Sequence, residues 1–321
     1  MIFNPRNIKI WSTIGSRATF GVAALELAKE VDNLMVLTCD VSTSAGLDRF
    51  RKTYPDKYLD LGIAEQNMIG VAAGLSSEGY NVITTTFAPF QTIRCCEQIK
   101  VNIGYMKQKV CMVGIGSGLA LGTLGYTHCC IEDVGVLRSI PEINIISPAD
   151  SFETVKALEA AVNSNKSTYI RLTGGSNNPI VYEKDYDFEI GKSIKLNDGE
   201  DITIFCTGSM VHNSLEAAKI LENKKISVKV VNMHTIKPVD KKAIKEALSS
   251  KLIVSVEEHN IVGGLGSSIA EYNSLLKSSP KQLFLGIKDT YSKGGSYKFL
   301  LEKHRLTAEK IVDDILNEYI K

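Results

Sequence analysis

The chain has 321 residues, 44% of them apolar and 23% charged, with a formal net charge of +1. That length suits two domains with apolar cores, and the near-balanced charge gives no electrostatic case for a nucleic-acid partner. No apolar run reaches the ~20 residues that a membrane helix needs, and the opening "MIFNPRNIKIWSTIG" lacks the basic and long apolar regions of a secretory leader.

In chain order, short apolar strand-like runs alternate with helical patterns. The segments 33–39, 57–62, 81–86, 109–116, 143–147 and 168–172 read as buried strands, and 17–32, 64–79, 89–103 and 150–164 read as helices. A stretch rich in Gly, Asn, Asp and Lys follows at 173–201, with little helical period. A second unit then offers strands at 202–208, 227–233, 251–258 and 282–287, and helices at 209–223, 239–249, 265–277 and 307–319. The alternation predicts an α/β protein of two doubly wound α/β domains, 1–185 and 186–321. The seven cysteines include the vicinal pairs Cys95–Cys96 and Cys129–Cys130 and no C-x-x-C, so a reduced cytoplasmic protein without a structural zinc is expected.

Three stretches carry candidate chemistry. In "DLGIAEQNMIG", Asp60, Gly62 and Glu65 lie where a strand gives way to a helix, the edge at which parallel sheets place their sites. Read locally, Glu65 is an acidic residue favoured by a helix N-terminus; the alternative is a carboxyl kept for a ligand. In "TTTFAPFQTIRCCEQIK", Phe87 and Phe90 follow the next strand, and Pro89 opens a helix. A buried carboxyl and two rings on one sheet edge suit a flat, protonatable heteroaromatic ligand. His128 then sits in a Gly-rich loop after the strand at 109–116, beside the same edge, where a polar role in catalysis or substrate binding is expected. "GGLGSS" at 263–268 lacks the G-x-G-x-x-G spacing and the following acidic residue of a dinucleotide loop.

Taken together, "DLGIAEQNMIGVAAGL", "TFAPFQTIRCCEQIK", "YTHCCIEDVGVLRSIPEINIISPAD" and "YIRL" resemble the C-terminal half of transketolase, in that family's order. "EEHNIVGGLGSSIAE" resembles part of its last domain, so the likeness runs from about residue 8 to residue 316. The resemblance implies a pyrimidine-binding domain followed by a transketolase C-terminal domain. It implies thiamine diphosphate as cofactor and transfer of a two-carbon ketol unit from a ketose to an aldose. Glu65 matches the family glutamate that bonds N1′ of the aminopyrimidine and thereby helps the C2 proton to leave. Phe87 and Phe90 match the aromatic wall around that ring, with Gln91 beside them. His128 matches the histidine near the reacting carbonyl. Arg17 in "GSRATF", Asp40 and Ser44 in "CDVSTSAG", and Arg171 in "YIRL" match positions around the sugar phosphate, for which forked arginine donors are apt.

Three positions depart from the family pattern. Leu124 stands where transketolases carry an Asp, Gly116 where they carry a second His, and Ile93 where a Tyr follows the aromatic pair. The cofactor chemistry is untouched by these changes, and the sugar is expected to be unusual, modified or nucleotide-linked. The chain also lacks the family's G-D-G motif, which holds the diphosphate through Mg²⁺ or Ca²⁺. The resemblance therefore implies a split enzyme: no metal site here, and a partner, the N-terminal diphosphate-binding transketolase subunit, in an assembly of two copies of each. The small-residue helix "AEQNMIGVAAGL" is expected at an interface. Alternatives are a subunit like 1-deoxy-xylulose-5-phosphate synthase, one like the β-subunit of 2-oxo acid dehydrogenases, or a non-catalytic regulatory homologue.

Overall fold

A computed structural model describes residues 3–319. Six strands of the first half are parallel: β1 (Leu34–Thr38), β2 (Tyr58–Asp60), β3 (Asn81–Phe87), β4 (Val110–Ser117), β5 (Ile143–Ile146) and β6 (Ser167–Thr173). The second half supplies β7 (Ile194–Asn197), β8 (Ile202–Cys206), β9 (Val228–Asn232), β10 (Thr235–Lys237), β11 (Leu252–Asn260) and β12 (Lys281–Ile287). The larger sheet has the order β10-β5-β6-β4-β3-β1-β2 and the smaller one β12-β11-β8-β9-β7. Every strand expected from the sequence is present. The two that the residue pattern did not reveal, β7 and β10, have four and three residues, too short for a period to register.

The first half has the helices α1 (Pro5–Glu30), α2 (Asp48–Thr53), α3 (Glu65–Ser77), α4 (Ala88–Gln91), α5 (Cys96–Gln98), α6 (Asp133–Arg138) and α7 (Ser151–Asn163). The second has α8 (Met210–Asn223), α9 (Lys241–Glu246), α10 (Leu265–Asn273), α11 (Tyr297–Lys303) and α12 (Ala308–Tyr319). The helix expected over 89–103 is broken. Thr92 returns its hydroxyl to the Ala88 carbonyl at 2.7 Å, which competes with helix continuation, and the chain regains helical form only through α5 and a π-helical stretch, Ile99–Tyr105. No helix among the described residues is long and apolar enough to cross a membrane.

One apolar core joins the faces of both sheets, from Ile8 and Trp11 on α1, through Phe152 and Val155 on α7, to Ile311 and Ile315 on α12. A second cluster, on the other side of the first sheet, packs Met68, Ile69 and Ala72 of α3 against Ile99, Ile103 and Leu137. The second half also lends a strand to the first sheet. β10 runs antiparallel to β5, with Thr235 opposite Ile146, and so covers an edge that the first half leaves open.

Just before β10, His234 is fully buried and its ring stacks on Phe188, with centroids 4.1 Å apart. Nδ1 pairs with the Thr235 hydroxyl at 2.9 Å, while Nε2 has no partner among the described residues. Burial disfavours the imidazolium and pulls the pKa down to about 3, from an unfolded value near 6.5. The stability linked to the neutral ring is thus whole above pH ~6.5 and is lost as pH falls toward 3, on the order of 5 kcal/mol across that window. Urea unfolding between pH 7 and 4 is expected to show this loss, and His234→Phe, which keeps the stack and cannot titrate, should flatten it. Parallel profiles for the two proteins would remove His234 as a source of acid sensitivity.

Candidate active site

The strand order reverses between β1 and β3, and the loops at the carboxyl ends of these strands gather the candidate residues. Asp60, at the end of β2, ties this edge together. Its Oδ1 accepts from the backbone N–H groups of Asp40 and Gly62, at 2.9 and 3.0 Å, and its Oδ2 from the hydroxyls of Thr38 and Tyr58. Burial alone raises this carboxyl's pKa, but the donors outweigh it and hold the group below the usual carboxylate range. Asp60 is therefore a brace for the loop between β2 and α3.

Glu65 is the first residue of α3 and is only 4% exposed, so its charge is both buried and aligned with the helix dipole. The Glu65 Oε2 accepts from Arg94 Nη1 at 2.8 Å. The Arg94 guanidinium lies over the Phe90 ring, 3.9 Å from its centroid. Phe87 ends β3 and Phe90 lies in α4, with Pro89 shaping the turn between them. Their centroids are 6.3 Å apart, and His128 meets both rings edge-on, at 6.1 Å from Phe87 and 5.5 Å from Phe90. The expected group of Glu65, Phe87, Phe90 and His128 thus shares one locality. Half-buried rings on the wall and a buried carboxyl at the helix start can hold a flat ring by its faces and by one ring nitrogen.

The loop that carries His128 is fixed by the second half of the chain. Leu119 N–H donates to the buried Glu258 Oε1 at 2.7 Å, and Asn260 N–H donates to the Ile131 carbonyl at 2.9 Å. Gly295 N–H donates to the Gly122 carbonyl, and the Tyr126 hydroxyl meets His304 Nε2 and Ser292 Oγ, each at 3.0 Å. Residue patterns along the chain did not reveal Arg94, Tyr126, Glu258 or His304. Of these only Arg94 had a local signal, a cation four residues after an aromatic residue.

Arg17 and Ser44 line a cavity of about 390 Å³ together with Thr43, Gly175 and Ser176. Gly15 makes this approach possible. It kinks α1 at φ 81°, and a Cβ there would lie 2.1 Å from the Gly175 carbonyl oxygen, so no other residue fits. Asp40 lies in the turn after β1 at φ 56°, within the same edge.

Two expectations need correction. Arg171 does not face this edge as a free cation. It is 3% exposed, with Nε donating to Asp133 Oδ2 at 2.9 Å and Nη2 donating to the carbonyls of Cys130 and Glu258. Asp133 also accepts from the Tyr169 hydroxyl at 2.7 Å. Arg171 is a brace between the two halves, placed there because a buried guanidinium needs a carboxylate and carbonyl acceptors. Gln91 does not line the ring wall either. It is fully buried, and its Nε2 donates back to Thr84 on β3 at 3.1 Å. Among the departures, Leu124 and Ile93 are exposed near the site, and Gly116 takes φ 65° with the Leu121 side chain 2.8 Å from where a Cβ would stand. A histidine at 116 would be strained and crowded in this chain. Among the described residues no three His, Cys, Asp or Glu converge as a metal cradle.

Sheet order and site geometry define a two-unit α/β protein with a carboxyl-and-ring site at the switch point of its first sheet. Two family profiles match: "Transketolase, pyrimidine binding domain" over residues 12–178 and "Transketolase, C-terminal domain" over residues 191–311. The chain belongs to the transketolase family. It is 35% identical over 310 residues to a subunit of the apulose-4-phosphate transketolase of Phocaeicola vulgatus, covering 96% of this chain and 98% of that one. It is 36% identical over 298 residues to the 6-deoxy-6-sulfo-D-fructose transketolase subunit SqwH of a Clostridium species, covering 92% of each. A solved structure described as a split gene transketolase, inactive beta4 tetramer, superposes with a TM-score of 0.85 at 36% identity, over 95% of this chain and 97% of that one.

Proposed function

We propose that this chain is the pyrimidine-binding subunit of a split transketolase, active only with a partner that carries the diphosphate and metal site. The observation that carries the reading is Glu65, a buried carboxylate at a helix start beside Phe87, Phe90 and His128. These residues fit one half of thiamine diphosphate, the aminopyrimidine. Bound thiamine diphosphate supplies an activated carbon that accepts and passes on a two-carbon ketol unit. Glu65 holds and exchanges a proton at the ring nitrogen, and its burial strengthens that bond. Phe87 and Phe90 fix the plane of the ring. His128, held by the second half of the chain, presents an imidazole to the carbonyl and hydroxyls of the sugar. Arg17 and Ser44, with Asp40 at the same edge, receive the far end of the substrate.

The absence of G-D-G from the sequence supports a partner that brings Mg²⁺ or Ca²⁺, and the relatives named as subunits support a heteromer, read here as two copies of each chain. The exposed side of α3 suits an interface, since Gly70 and Gly74 have open space where a Cβ would be. Leu124 and Gly116, together with the sugars in the relatives' names, favour an unusual ketose.

Calorimetry tests the reading. The chain alone, with Mg²⁺ and thiamine diphosphate, is expected to show no micromolar binding. Co-expressed with a G-D-G-bearing N-terminal subunit, it is expected to bind the cofactor and transfer ketol units. Micromolar binding by this chain alone, or none after assembly, would overturn the split-site reading.

A further inference from the structure

Among the described residues, Arg94 touches both Glu65 and the Phe90 face, and the proposed function gives it no role. Its Nη1 donates to Glu65 Oε2 at 2.8 Å, and its Cζ sits 3.9 Å from the Phe90 centroid. The two partners differ in exposure, with Glu65 4% exposed and the Arg94 side chain 41%. The carboxylate is thus fixed in the wall while the guanidinium reaches in from the solvent side. Gln66 on α3 anchors the Arg94 backbone, donating from Nε2 to its carbonyl at 3.0 Å. The side chain can therefore leave while its backbone stays.

A guanidinium is a planar, delocalised cation whose N–H edge fits a carboxylate and whose face stacks on an aromatic ring. An aminopyrimidine protonated on the ring nitrogen that faces Glu65 shares two of these features, a flat delocalised cation and an in-plane N–H that a single carboxylate oxygen can accept, as Glu65 Oε2 accepts from Arg94 Nη1. Both need the Glu65 oxygens and the Phe90 face, and the two cannot occupy them together.

We propose that Arg94 is a self-ligand of the pyrimidine site: its guanidinium takes the place of the aminopyrimidine on Glu65 and Phe90 in the free subunit and is displaced when cofactor enters. The proposal rests on the thiamine-diphosphate reading of the site. Its consequence is graded control of the subunit. Before assembly, Arg94 neutralises a carboxylate that would otherwise stand alone at a half-built site. After assembly, it sets a threshold that the cofactor must overcome. Arg94 is then a positioning residue for Glu65 and a brake on cofactor loading.

The test has two parts. In the free chain, urea unfolding of wild type, Arg94→Met, Glu65→Gln and the double variant forms a cycle. Arg94→Met keeps an apolar stem on Phe90 and removes the cation. Its midpoint is expected to fall, and the fall should shrink when Glu65→Gln is also present. Additive midpoint shifts would show that the pair does not exist in the free chain and would overturn the proposal.

In the complex with the N-terminal subunit, calorimetric titration with thiamine diphosphate and Mg²⁺ is expected to show Arg94→Met binding about tenfold tighter than wild type, the combined worth of a half-exposed ion pair and one cation–ring stack. Equal or weaker binding by Arg94→Met overturns the self-ligand while leaving the function intact. No binding by either complex overturns the underlying reading, and the self-ligand with it.

Discussion

Glu65→Gln is expected to leave the fold in place and to remove most of the turnover of the assembled enzyme. Gln matches Glu in shape, although it lacks the charge that pairs with Arg94. What Gln lacks is an exchangeable proton for the pyrimidine nitrogen. The loss should be on the order of 10²–10⁴, the usual worth of a positioned acid–base group. It should appear in kcat and in slowed exchange of the cofactor's C2 proton, followed by NMR, with the far-ultraviolet circular dichroism of the folded chain unchanged. Exchange near the wild-type rate in the reconstituted complex would reduce Glu65 to a residue that merely suits a helix start.

Arg171→Ala is expected to act on the fold. Removing the guanidinium leaves Asp133 fully buried without its ion-pair partner, and frees the carbonyls of Cys130 and Glu258. Breaking a buried pair in this way costs roughly 3–5 kcal/mol. Urea unfolding of the free chain should show it as a large drop in midpoint, and the double variant Arg171→Met with Asp133→Leu should recover part of the loss by removing the stranded charge. A loss below ~1 kcal/mol would mean that the buried network relaxes or takes in water, and Arg171 would no longer count as a brace.

Much of the fold was legible because it repeats. Long apolar strands such as β4 and amphipathic helices such as α7 announce themselves by period, and the boundaries of these two fell close to the expected ones, whereas α1, expected from residue 17, begins at Pro5. Of the candidate site, the residues expected to meet do gather: Phe87, Phe90 and His128 meet ring to ring, and Glu65 joins them through Arg94. What misled was orientation. Arg171 sits inside β6, where a strand sends alternate side chains to opposite faces, and its partner Asp133 opens α6, a meeting that exists only after folding. Gln91 stands one position from Phe90, but on a helical turn that step moves the side chain to another face, toward Thr84. Arg94 and the Tyr126–His304 contact join residues whose relation exists only after folding.

The borrowed strand has a bearing on how the molecule is made. β5 acquires its outer neighbour only when Thr235–Lys237 arrives, and that segment is translated well after β6. While the ribosome is still adding the intervening residues, the emerged portion displays an unpaired row of backbone N–H and C=O groups along Ile143–Ile146. Fragments that stop short of Lys237 keep that exposed row for good. Expression trials that cut the chain after its first unit should therefore be read with this in view: precipitation there reports a missing strand, and a soluble first unit calls for the stretch through Lys237 to be supplied in cis or as a separate peptide.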